Sequence, residues 1–143
     1  MSWSIGRRLE FIDFRLYWEG RINRKDLTEF FGISVPQASS DIKIYQEKAP
    51  RNIEYDKSGK YYHATDKFKP IFMTPDSSHY FAQLRLIFNK VLKEEESFLG
   101  QIPSFGSIPS VARVVDSEIL RKILQAINSK MSLEINYQSM NRD

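Results

Sequence analysis

"FFGISVPQASSDIKIY", residues 30–45, sets a glycine, a serine and a proline, then a run of small polar residues, between two apolar flanks. The proline decides how the stretch is read. Inside a helix its missing N–H and its ring would break the backbone ladder, whereas in the first helical turn that N–H has no partner anyway and the fixed φ suits the helix. Ser34 supplies the cap that such a start needs, and Ala38, Ile42 and either Ile44 or Tyr45 recur on one side. The spacing therefore predicts a helix beginning at Ser34 rather than a loop. Its other positions, Val35, Pro36, Gln37, Ser39, Ser40 and Lys43, include nothing large and apolar enough to demand a core, so this face can lie close to a partner.

Upstream, "NRKDLTEFF", residues 23–31, offers Asn23 as an N-cap, turns Leu27, Phe30 and Phe31 inward and stops at Gly32. Ile5 to Trp18 repeats Ile5, Leu9, Ile12 and Leu16, the stripe of an amphipathic helix, with Gly20 beyond its end. Downstream the period changes. "NIEYDKSGKYYHAT", residues 52–65, alternates about a polar turn in which Gly59 is expected to take a positive φ, so Ile53 to Tyr55 and Lys60 to Ala64 read as a two-stranded hairpin. Three short helices with a glycine turn between the second and third, followed by a hairpin, is the order of a winged helix-turn-helix. Leu27, Ile33, Ala38 and Ile42 are the positions that must pack its second and third helices together, and each is apolar or small.

Beyond residue 70, "KFKPIFMTPDSS" is extended and punctuated by proline, and Asp76 or Ser77 caps a long helix that the "KEEES" of residues 93–97 closes. That helix carries Tyr80, Phe81, Leu84, Ile87, Phe88, Val91 and Leu92, a broader apolar stripe than a small wing domain usually covers. It packs either on the domain's own first helix or the C-terminal segment, or on the same helix of a second subunit. "GQIPSFGSIPSVARVV", residues 100–115, reads as a linker. "DSEILRKILQAINSK" reads as a helix capped at Asp116 or Ser117 with Ile119, Leu120, Ile123, Leu124 and Ile127 inside, and "SLEINYQSM", residues 132–140, alternates like a strand. With nothing after that strand to pair with it, a second domain cut off soon after its start is expected.

Composition narrows the function. The chain has 143 residues and a net charge of +3, and the whole excess lies in residues 1–70, where thirteen Lys or Arg face ten Asp or Glu. Surplus cations on the helical half suit a polyanion. Without cysteine there are no disulfides and no thiolate nucleophile, and His63 and His79 have no metal-ligand spacing, so neither a metal nor a cofactor is expected. His63 falls in the hairpin, His79 in the first turn of a helix, and Glu94 to Glu96 read as a solvated helix end. No acid, base and nucleophile set points to an enzyme. No apolar run is long enough to span a membrane and the N-terminus has no signal-peptide core, which makes the cytoplasm the expected compartment.

The polar face of the third helix has the chemistry for double-stranded DNA. Gln37 pairs a donor with an acceptor as adenine requires, Ser39 and Ser40 suit bases or phosphate, Lys43 brings a cation, and the helix start at Ser34, Val35 and Pro36 favours a phosphate. Lys57, Ser58 and Lys60 in the wing turn and Arg24 and Lys25 at the start of the second helix suit the DNA backbone. The alternative is a winged module used only for protein contact.

On these residues the chain resembles WYL-domain transcription regulators of the BrxR/CapW type, which control phage-defence operons. Residues 8–45 look like that family's helix-turn-helix, residues 52–70 like its wing, and residues 114–140 like the helix and strand that open the WYL domain. The resemblance implies a mostly α fold with a small β-hairpin: a winged domain over residues 1–70, a connecting and dimerising helix within 71–101, a linker over 102–115, and a truncated WYL domain over 116–143. It also implies a homodimeric repressor on an inverted-repeat operator, and in such a dimer the broad apolar stripe puts Tyr80, Phe81, Leu84, Ile87, Phe88 and Val91 at the subunit contact. The Trp-Tyr-Leu signature of the domain does not occur before Asp143.

Overall fold

A computed structural model describes residues 3–102 and 116–129. Helix α1, Trp3–Glu19, runs through the middle of the structure. Sequence spacing predicts an amphipathic helix here, but every residue from Phe11 to Trp18 is buried, including Asp13 and Arg15. The reason is that neighbours cover α1 on several sides: α3, Val35–Lys48, the strands, and α5, Ser117–Ser129, all pack against it. Gly20 ends α1 in a left-handed conformation, φ 79°, with its amide on the carbonyls of Arg15 and Leu16.

Arg21–Ile22, read as a connection in the sequence, forms strand β1. It pairs with β3, Tyr61–Ala64, which also pairs with β2, Ile53–Asp56, so the wing is a three-stranded antiparallel sheet in the order β1-β3-β2 rather than a lone hairpin. Two residues are too few to leave a signal of alternation. β1 anchors the wing to the helical core, because Ile22 is fully buried opposite Tyr62.

Helix α2, Arg24–Phe31, has the expected Asn23 cap as part of a reciprocal box: the Asn23 side chain accepts from the Asp26 amide and the Asp26 carboxylate accepts from the Asn23 amide, both at 2.9 Å. Gly32 closes it at φ 66°, where a side chain would be strained. Leu27, Ala38 and Ile42 are buried between α2, α3 and α1, with Ile33 packed at their edge, and Tyr45 rather than Ile44 completes the buried stripe of α3. Phe30 and Phe31 join an aromatic cluster about Phe11, whose ring centroid lies 4.9 and 5.2 Å from theirs. Phe98 adds a fourth ring at 5.1 Å from Phe11.

The long helix expected after residue 76 is shorter than its apolar stripe. Asp76 caps α4, Ser77–Phe88, and Lys90 then turns left-handed at φ 59° while the amides of Val91 and Leu92 fold back to the Leu86 carbonyl. Val91 and Leu92 therefore lie outside the helix. Tyr80 and Leu84 are buried in the protein's own core, with the Tyr80 ring 4.8 Å from that of Trp18. Glu94–Glu96 form a single 3-10 turn, exposed as expected. The next residues fold back on α1, where Glu19 accepts from the amides of Gly100 and Gln101 at 2.7 and 2.9 Å.

Asp116 caps α5, accepting from the Ile119 amide at 3.1 Å. Leu120, Leu124 and Ala126 are buried, whereas Ile119 and Ile127, expected inside, are 56% and 49% exposed. The helix meets α1 along a narrower line than its sequence pattern suggests. Arg121 fixes that contact by donating to the Tyr17 carbonyl at 2.9 Å and lying over the Tyr17 and Phe68 rings. Most of the expected linker, residues 103–115, and the expected strand at 132–140 lie outside the described residues.

Candidate nucleic-acid interface

The cap on α3 works as the sequence implies. Ser34, extended at φ −73° and ψ 159°, accepts from the Gln37 amide at 3.2 Å, and Pro36 occupies the first turn. The remaining amides of that turn and the helix dipole give this end a positive character suited to phosphate. Val35 is 53% exposed, and Ser34, Pro36, Ser40 and Lys43 are exposed beside it, while Gln37 and Ser39 are half-buried. The face is small, polar and open for most of the helix, backed by the buried Ala38, Ile42 and Tyr45.

Besides Ser34, several of the expected contact residues already have partners. Arg24 donates to the Ser39 hydroxyl at 3.3 Å, tying the start of α2 to α3, and Lys25 pairs with Glu29 at 3.6 Å on the exposed side of α2. Gln37 donates its side-chain amide to Asp41 at 3.0 Å. Exposed pairs of the Lys25 kind contribute little and yield readily to a phosphate. The Gln37 contact differs, because Asp41 is fully buried and held by Arg8 at 2.6 and 3.2 Å.

The wing turn carries Lys57, Ser58 and Lys60, all exposed. Asp56 shapes it by accepting from the Ser58 and Gly59 amides at 2.9 and 3.1 Å, and those bonds hold its carboxyl below the ordinary aspartate range. The positive φ expected at Gly59 falls instead on Lys60, φ 58°. Gly59 serves a different purpose: a Cβ there would stand 2.1 Å from the Tyr61 ring, so glycine is what lets that ring fold under the turn.

Arg8 and Asp41 form a buried ion pair beneath this face that residue spacing alone does not announce. A signal exists in hindsight, since Asp41 stands three residues after Ala38 and four before Tyr45, inside the buried stripe, and a carboxylate there requires a cation. His63 lies in β3 with its ring 3.8 Å from Glu54, and His79 lies in the first turn of α4. Among the described residues no group of three or more His, Asp or Glu is placed to hold a metal ion, and no helix is long and apolar enough to cross a membrane.

Residues 4–86, which span α1 to the body of α4, match the BrxR transcriptional regulator winged helix-turn-helix domain. The chain belongs to this family. Relatives extend the similarity beyond the winged domain. The chain is 41% identical over 140 residues, 98% of its length, to the DNA-binding transcriptional repressor CapW of Stenotrophomonas maltophilia. It is 43% identical over 138 residues to the repressor of that name from Escherichia coli (strain KTE188), and 42% identical over 138 residues to that of Pseudomonas aeruginosa. It spans a little under half of each, 47% of the first and 46% of the other two. As a BrxR-type domain it has α2 and α3 as the helix-turn-helix and the β1-β3-β2 sheet as the wing.

Proposed function

We propose that this chain is a sequence-specific DNA-binding repressor that inserts α3 into the major groove and lays its wing along the adjacent backbone. The observation that carries this reading is the construction of α3: a capped helix start and a small polar face, backed by a buried stripe that holds the helix rigidly against α1. The names of its relatives, DNA-binding transcriptional repressors, support it. Gln37, Ser39, Ser40 and Lys43 face the bases, while Ser34, Val35, Pro36, Arg24, Lys25, Lys57, Ser58 and Lys60 face phosphate and sugar. The action is binding, not catalysis. A DNA partner makes the cytoplasm the site of that action.

The repressor acts as a homodimer on an inverted repeat, with two α3 helices about 34 Å apart or at a multiple of it. Tyr80 and Leu84 are committed to the core, so the subunit contact on this side falls to Phe88 and Val91, 47% and 72% exposed, with Phe81 and Ile87 at its edge and Leu86 beside it. The resemblance in sequence suggests a phage-defence operon as the target. Titrating the chain against duplex DNA from upstream of its own gene tests the reading. Affinity should fall steeply with salt and concentrate on an inverted repeat. Absence of salt-dependent binding to any duplex would favour a module for protein contact.

A further inference from the structure

We propose that Asp41 is a specificity-determining residue: pinned beneath α3 by Arg8, it fixes which way the Gln37 carboxamide faces and so what that side chain reads. This rests on the reading that α3 lies in the major groove. Asp41 itself is fully buried and touches no DNA. Its Oδ2 accepts from Arg8 Nε at 2.6 Å, and its Oδ1 accepts from Arg8 Nη2 at 3.2 Å and from Gln37 Nε2 at 3.0 Å. The two ends of a glutamine amide are nearly identical in shape and opposite in chemistry, the carbonyl only accepting and the NH2 only donating. A carboxylate has nothing to donate, so only the NH2 end of Gln37 can face Asp41. The carbonyl and the second N–H are then left in one fixed arrangement.

That arrangement matters for reading. Adenine presents an N6–H donor beside the N7 acceptor, and a glutamine matches the two only when its carbonyl meets the first and its N–H the second. A freely turning amide also matches groups in the reverse order, as a pinned one does not. Pinning the side chain in the free protein also removes part of the ordering cost of binding. The backbone is held as well, since the Gln37 amide is the one that caps onto Ser34. Arg8 is 9% exposed and comes from α1, so the orientation of a residue on the reading helix is set from the helix behind it.

The test uses the full chain and a panel of operator duplexes, each with one base pair changed. Asp41→Asn can present a donor to Gln37 and lets the amide flip. The double variant Arg8→Met/Asp41→Leu removes the pin while replacing the buried pair by apolar groups, an exchange that is often tolerated. In either, discrimination should fall roughly 5- to 150-fold at one base pair of each half-site, the pair at which Gln37→Ala also loses it, with the other positions and the salt slope unchanged. A profile identical to the wild type, or an equal loss at every position, would overturn the assignment. Side-chain 15N relaxation of the DNA-free wild type needs no variant to fold: Gln37 Nε2 should be markedly more rigid than that of the exposed Gln125, and equal mobility would overturn the pin. Failure of the wild type to bind any duplex would overturn the groove reading instead, while the relaxation result still judges the pin.

Discussion

The Tyr45 hydroxyl donates to the buried Asp13 carboxylate, joining the last turns of α3 to the middle of α1. The same carboxylate accepts from the amides of Ile71 and Phe72, and Asn52 donates both to the Tyr45 oxygen at 3.0 Å and to the Lys69 carbonyl at 2.8 Å. One buried network thus clamps α3, the segment leading into β2 and the segment after the wing. With Arg8 and Asp41 one turn earlier, at the middle of α3, that helix is bolted to α1 by polar contacts at two points. Polar groups locked in this way resist sliding, because a shift leaves each of them buried without a partner.

Tyr45→Phe keeps the shape of the ring and removes the donor. The buried Asp13 Oδ1 then loses its donor while Oδ2 keeps the Ile71 and Phe72 amides, and stability should fall by about 1 to 3 kcal/mol in urea unfolding, with an unchanged slope. An unchanged midpoint would show that the bond carries no weight.

Burial raises the folded-state carboxyls of Asp13 and Glu19 above their ordinary values, although hydrogen bonds, and for Glu19 the Arg15 charge, pull the other way. A raised carboxyl favours the folded state when protonated, so the contribution is full below the ordinary carboxylate range and is lost as pH rises through the folded values. The urea midpoint should therefore rise as pH is lowered from neutrality toward those values, and Glu19→Gln should flatten the rise. A midpoint that falls steadily on acidification would contradict this.

Tyr80 and Val91 belong to one apolar stripe in the sequence and to different environments in the fold, 2% and 72% exposed. Tyr80→Ala should cost about 3 to 5 kcal/mol, the usual range for truncating a large buried aromatic residue. Val91→Asp should leave the melting temperature of the folded unit within a few degrees and lower the apparent mass in solution, as loss of a subunit contact would. A monomeric wild type by sedimentation would refute the dimer.

Lys60 holds a left-handed backbone that glycine adopts without strain. Lys60→Gly should therefore keep or raise the melting temperature while reducing the slope of log affinity against log salt by about 1, the loss of one phosphate contact. A slope equal to that of the wild type would remove Lys60 from the interface.

Local rules made the helix-turn-helix legible. Caps at Asn23 and Ser34, the stop at Gly32 and the stripe of Leu27, Ala38 and Ile42 are decided within a few residues, and each is found as read. Features that depend on distant partners were not legible. Two residues of β1 become a strand only because Tyr62 and His63 lie opposite, and Lys90 ends α4 within an apolar pattern that continues past it. Arg8 and Asp41 stand 33 residues apart, so neither position alone reveals that they meet. The polar face of α3 could be read as a surface, while the support beneath Gln37 required the fold.

The most direct test is a salt titration of operator binding by the wild type and by the Gln37→Ala/Lys43→Ala variant, with folding checked by circular dichroism. The wild type should bind one sequence with an affinity that falls linearly in log salt. The variant should bind more weakly, by about 1 to 3 kcal/mol for the lost base contact plus a salt slope reduced by roughly 1, and should discriminate less among sequences. Binding by the folded variant equal to the wild type in affinity, sequence preference and salt slope would show that α3 is not the reading helix.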